Sequence, residues 1–348
     1  MTMRSPRGRS LGAMLAAVLL LAGPARAADD VVNVIHYGGS FGKALREAFF
    51  DPAEKALNIR VNDMSRTDMA KIKAMVQSGK LEWDVANVNT LEVWRGVKEG
   101  LWEPIDYGIV DRSVVGPAKE YEYGVPFIGI ATGLIYSTKK YPSPDKAPQS
   151  WADFWDVKRF PGPRSLENRV RYTLTFALLA DGVPPDKLYP LDVERAFRKL
   201  DQIKPHITVW SKPPVQALEL IASGEVVMAL TPNNEWAEAA RRGVPVGWQW
   251  NQAIYTTNAW TVLKGTPNKR AAMLLIREMS RPQLQARLAE LTYFGPMNPK
   301  ALPLVPAQVR QYLPTEPENL KKAAPFDHEW WGAHEAELIE RWNAWLIK

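Results

Sequence analysis

Gly38-Gly39-Ser40-Phe41-Gly42 has the G-x-S-x-G spacing that can raise a serine nucleophile on a strand-to-helix turn. Position argues against that chemistry. A hydrolase elbow follows several strands that build the sheet and the oxyanion donors, and here a single strand pattern, Val31 to Tyr37, precedes it. The same turn can instead present Ser40 and backbone N–H groups at a helix N-terminus, where a polar or anionic group docks. A plain strand-to-helix turn is the competing reading. The four histidines give Ser40 no base and form no metal site. His328 and His334 are six residues apart, on different faces of a helix, and His36 and His206 fall in strands, where packing or hydrogen bonding is expected. With no cysteine in the chain, thiol catalysis, thiolate metal sites and disulfides are excluded. No cofactor and no metal is expected.

What remains suits recognition. Arg169 and Arg171 precede a helix and could clamp a carboxylate or phosphonate, although solvated arginines at a helix start are common. Tyr37, Trp248, Trp250, Tyr255, Trp260, Tyr293 and Phe294 fall in loops or at strand ends. There they could face a cleft and hold an ammonium group or a flat ligand, or they could simply pack. Of the fourteen tryptophans, Trp151, Trp155, Trp330, Trp331, Trp342 and Trp345 read as packing residues.

The elements that would position these side chains alternate. Strand patterns at 31–37, 58–62 and 84–88 are separated by helices at 43–57, 67–78 and 91–98, with Gly79 and Gly100 as stops. This is the pattern of a parallel, doubly wound α/β sheet. An apolar stretch over 124–136 with Gly124, Gly129 and Gly133 reads as a long strand passing to a second α/β unit. That unit has helices at 172–180, 192–203 and 215–222 and strands at 206–210 and 226–230. A strand at 258–263 returns the chain, and helices over 268–280, 283–291 and 328–346 complete it. Two crossings between two units make a cleft, where ligands of such folds sit at strand ends.

The first residues set the compartment. Arg4, Arg7 and Arg9 precede the apolar run Leu11 to Ala22, and Ala25-Arg26-Ala27 has the small-x-small form of a cleavage site. This is a signal peptide over 1–27, with an apolar run too short to span a bilayer. Four of the 44 basic residues lie in it with no acid, leaving 40 against 38 in the rest. A balance of +2 makes no case for nucleic-acid binding. The mature chain is expected in the periplasm.

With these residues in view, the chain resembles the periplasmic solute-binding proteins of the spermidine/putrescine family, the type II fold that feeds ABC importers. The resemblance is carried by Tyr37-Gly-Gly-Ser-Phe-Gly42, Trp83-Asp-Val-Ala86 with Gly100-Leu-Trp102, Gly124-Val-Pro-Phe127, and Trp151-Ala-Asp-Phe-Trp155 with Phe160-Pro-Gly162. Ser223-Gly-Glu-Val226 and Gly265-Thr-Pro-Asn-Lys269 complete the series. It implies two doubly wound lobes joined by a two-strand hinge, with a helical C-terminus: 28–133 and 259–348 in one lobe and 134–258 in the other. The implied protein is a monomer that closes on one small molecule, performs no chemistry on it and delivers it to an ABC permease. Polyamine binders pair ammonium groups with acids, because an unpaired buried charge costs several kcal/mol. At the matching positions this chain has Asn258 and Pro232-Asn233, and Arg169 and Arg171 with Glu167 nearby. A neutral, zwitterionic or acidic solute, such as an amino acid or carboxylate, is therefore expected over a diamine. The lining expected is Tyr37, Ser40, Asn89, Thr90, Asn233, Tyr255, Asn258, Trp260 and Phe294, with Arg169 and Arg171 as anion contacts. An exported serine hydrolase using Ser40 is the alternative.

Overall fold

The computed structural model describes residues 1–2, 31–115, 119–212 and 214–347, so nearly all of the leader expected over 1–27 lies outside the described residues. Two sets of parallel strands form, five of the six close to where sequence alternation places them, with Arg164–Glu167 the addition. In the first half, β1 (Val31–His36) lies between β2 (Arg60–Ser65) and β3 (Val85–Asn89), both parallel to it. In the second half, β5 (Arg164–Glu167) lies between β6 (Ile207–Ser211) and β7 (Met228–Pro232), again parallel. The helices that follow β1, β3, β5 and β7 start at Gly39, Thr90, Val170 and Asn233.

The halves are joined through two long strands, β4 (Val125–Ser137) and β8 (Val246–Val262), which run antiparallel side by side. The described residues give one mixed sheet in the order β2-β1-β3-β8-β4-β7-β5-β6, with the short β9 (Gly295–Pro296) on β4. Each half has the parallel strands expected from strand–helix alternation, and the two crossing strands between them run antiparallel. β8 is also far longer than the strand expected over 258–263. Its first part alternates aromatic and polar residues, Trp248-Gln249-Trp250-Asn251, because it is half-covered rather than buried on both faces. Register shifts opposite Gly133, near Gln252, whose φ is +64°.

Glycines in β4 admit the aromatics of β8. A Cβ on Gly129 would sit 2.5 Å from the Tyr255 hydroxyl, and one on Gly133 would sit 2.8 Å from the Trp248 ring. Each half has its own core. Phe49, Phe50, Phe127 and Trp260 are fully buried in the first, and Trp151, Phe154, Phe176 and Trp331 in the second. The buried Arg164 guanidinium donates to the carbonyls of Phe154, Phe160 and Gly162, which fixes the Phe160-Pro161-Gly162 turn. The C-terminal helix, His328–Leu346, is as expected and packs on both halves.

Candidate functional site

A cavity of about 590 Å³ opens at the carboxyl ends of β1, β3, β5 and β7, the place a doubly wound sheet offers a ligand. From the first half, Tyr37, Ser40 and Phe41 reach it from the turn after β1, and Asn89 from the end of β3. The second half supplies Glu167, Arg169, Arg171 and Tyr172 after β5, and Asn234, Glu235 and Glu238 after β7. Strand periodicity selects the floor: Ile128, Ile130 and Thr132 of β4 and Thr256 and Asn258 of β8 face it, each two residues from the next. Asn258 is paired across the sheet with Asn89, and Asn89 also caps the Thr90–Glu99 helix, accepting from Glu92 N–H at 3.1 Å. Phe294 is braced edge-on by Phe41, with ring centroids 5.4 Å apart.

The structure thus brings together Tyr37, Ser40, Asn89, Arg169, Arg171, Asn258 and Phe294. It does not place Thr90, Asn233, Tyr255 or Trp260 there. Thr90 is fully buried and donates to the Thr257 carbonyl at 2.9 Å. Asn233 is also fully buried: it accepts from Ala131 N–H at 2.9 Å and donates to the carbonyls of Tyr293 and Tyr312. It therefore splices three segments instead of facing a ligand. Tyr255 points to the opposite face of β8 from its neighbours Thr256 and Asn258, covering Gly129 and reaching Met297 Sδ at 3.2 Å. Trp260 is sealed in the first core, stacked on Phe127 at 4.3 Å. A one-residue difference in strand parity accounts for Tyr255.

Sequence reasoning missed Phe41, Glu235, Glu238 and His328, and left Glu167 at the margin. These carboxylates line the cavity at positions other than Asn258 and Pro232-Asn233, so the wall carries acids as well as arginines. Burial pushes the Glu167 carboxyl up, against the pull of Arg169 and Arg171. Its Oε1 lies 3.0 Å from Arg169 Nη2. Burial likewise raises Glu235, with Glu238 adding like-charge repulsion. Both sites therefore gain from an incoming cation. His328 opens the C-terminal helix at the cavity edge, where burial drives its imidazole down to about 4, and its Nδ1 is enclosed without a hydrogen-bond partner. The helical-face argument that removed His328 from a metal pair gave no hint of this position. Among the described residues no group of acids and histidines is placed to hold a metal ion.

The nucleophile reading loses its base. His36 Nδ1 accepts from Gly38 N–H at 3.0 Å while Nε2 faces Asp63 at 3.3 Å, so both ring nitrogens are engaged behind the turn. Ser40 lies exposed in the first turn of a helix, presenting a hydroxyl to the cavity.

Comparison with known proteins agrees with this architecture. The family model described as bacterial extracellular solute-binding protein matches residues 48–315. The γ-aminobutyric acid-binding protein of Pseudomonas aeruginosa is 40% identical over 344 residues, 95% of each chain. The spermidine/putrescine-binding periplasmic protein of Escherichia coli is 22% identical over 312 residues, 85% of this chain and 86% of that one. Among solved structures, the Atu4243-GABA receptor superposes with a TM-score of 0.82 at 32% identity, covering 92% of this chain and 98% of that one. These relatives are binding proteins, not enzymes, and the hydrolase alternative has no support among them. A cavity between two halves of one sheet is what that likeness implies, and this chain belongs to the bacterial extracellular solute-binding proteins.

Proposed function

We propose that this protein captures a small zwitterion with separated ammonium and carboxylate groups, γ-aminobutyrate being the first candidate, and presents it to an ABC permease after export to the periplasm. The carrying observation is the charge on the cavity wall. Arg169 and Arg171 stand beside Glu167, Glu235 and Glu238 around one space of about 590 Å³. A cavity with arginines alone would suit a dicarboxylate, and one with acids alone a diamine. The cavity here carries both. The relative at 40% identity is named for γ-aminobutyric acid, and so is the Atu4243 receptor. The residues we assign to the ligand are Tyr37, Ser40, Asn89, Arg169, Arg171, Asn258 and Phe294, joined by Glu167, Glu235 and His328.

We assign 28–133 and 259–327 to one lobe and 134–258 to the other, with β4 and β8 as the hinge and the C-terminal helix 328–346 carried by the second lobe. Closure about two strands buries the ligand and forms the surface a permease reads. A monomer suffices for this. The test is a thermal-shift panel of γ-aminobutyrate, α-amino acids, dicarboxylates and putrescine. The reading expects γ-aminobutyrate to raise the melting temperature most. A rise with putrescine alone would overturn it.

A further inference from the structure

The C-terminal helix His328–Leu346 is anchored firmly to the second half of the molecule. Trp342 Nε1 donates to Asn168 Oδ1 at 2.7 Å, Trp345 Nε1 to Asp201 Oδ1 at 2.7 Å, and Arg341 Nη2 to Glu194 Oε2 at 2.8 Å. Leu338, Trp331 and Trp342 sit in the second core. The helix also packs against the first half, chiefly on the Thr90–Glu99 helix. Gly332 lies so close to Trp94 that an added Cβ would fall 2.4 Å from the ring, which allows the two helices to approach. One turn on, the buried Glu335 reaches both sides. Its Oε2 accepts from Arg95 Nη2 at 2.6 Å, and its Oε1 accepts from Arg171 Nε at 2.6 Å, with Arg171 Nη2 also 2.6 Å away. Arg95 belongs to the first half and does not line the cavity, whereas Arg171 belongs to the second and does. A second bond, Arg95 Nη1 to Glu92 Oε1 at 3.2 Å, orients the Arg95 guanidinium.

We propose that Glu335 is a positioning residue that holds Arg171 at the cavity wall and clasps it, through Arg95, to the opposite half of the molecule. One carboxylate shared by two guanidiniums cannot keep both when the halves move apart. Separation releases Arg95, and the Arg171 head group then gains freedom that it lacks in the clasped form. The clasp thus favours the arrangement in which Arg171 is preorganised for a ligand carboxylate, and ligand bound there favours the clasp in return. The proposal rests on Arg171 facing the cavity and not on the identity of the solute.

The experiment uses the full mature chain with Arg95→Gln, Glu335→Gln and the double variant, plus Arg95→Lys as the conservative control. Far-UV circular dichroism first confirms the fold. In the absence of ligand, small-angle scattering should show a larger radius of gyration for Arg95→Gln and Glu335→Gln than for wild type, with Arg95→Lys restoring the wild-type value. In calorimetric titration with γ-aminobutyrate, Arg95→Gln should weaken binding roughly five-fold or more although it removes no cavity residue. The double variant should be no weaker than Glu335→Gln alone, since both changes cut one clasp. A merely structural role would make the losses additive and leave the radius unchanged. Wild-type dimensions in both single variants would overturn the clasp. If wild type fails to bind γ-aminobutyrate, the ligand reading falls, while the scattering comparison still decides the clasp.

Discussion

At the scale of single residues, Arg169 and Arg171 carry most of the ligand argument. A charge-assisted hydrogen bond contributes about 1.5–3 kcal/mol, so Arg171→Gln should weaken a carboxylate ligand by about ten- to a hundredfold. Arg169, 43% exposed and paired with Glu167, should cost less when changed. Comparative titration of the two variants measures the order. Trp260 makes the opposite case. Trp260→Leu removes a ring stacked on Phe127 in a dry core, so it should cost several kcal/mol in denaturant unfolding and leave ligand preference alone.

His328 gives a pH signature. Its folded value of about 4 lies below the ordinary 6.5, so the unfolded chain takes up the proton first as pH falls. Stability is therefore complete above about pH 6.5, declines between there and about 4, and levels off below. The loss attributable to this group is at most about 3 kcal/mol, and His328→Gln should remove it. Unfolding curves of both proteins from pH 7 to pH 4 measure the difference. A wild-type stability that does not fall relative to the variant between pH 6.5 and pH 4 would contradict the assignment. Of these residues, the arginines and Ser40 were legible because charge and turn motifs are local signals. His328 and Glu235 were not, because they reach the cavity only through tertiary placement of helix starts.

Single elements show the same division between local and distant information. Strand–helix alternation, with Gly79 and Gly100 as left-handed helix stops, was readable because capping and periodicity act within a few residues. The length of β8 and the antiparallel centre of the sheet were not. They depend on β4 lying alongside, and no local pattern records a partner 120 residues away. The glycines of β4 were visible as glycines, but their purpose lies in β8. Gly129→Val should force the Tyr255 ring out of its place against the strand, at a cost of about 1–3 kcal/mol. A substitution by valine on the cavity face, Ile130→Val, removes one methyl group and should cost about 1 kcal/mol and no more. Chemical denaturation of the two variants compares them directly, and equal losses would contradict the close packing of β4 on β8.

For the molecule as a whole, fold class and solute-binding character followed from the order of motifs, each weak alone. The lining was only partly legible, because strand parity sets which side chain faces the cavity, and a slip of one residue reverses it. With two long strands joining the halves, we propose hinge motion about them as the working step. Saturating ligand should reduce the radius of gyration of the wild-type protein, and unchanged scattering with a ligand that binds would count against the hinge. The claim beneath all of this is capture of a molecule bearing both charges, without altering it. Calorimetry on ligand-stripped protein tests that most directly, with γ-aminobutyrate and putrescine titrated in parallel and the solute recovered afterwards. The account predicts one saturable site for γ-aminobutyrate, intact solute on recovery and far weaker heat from putrescine. Tight putrescine binding with none for γ-aminobutyrate, or a chemically changed solute, would contradict it.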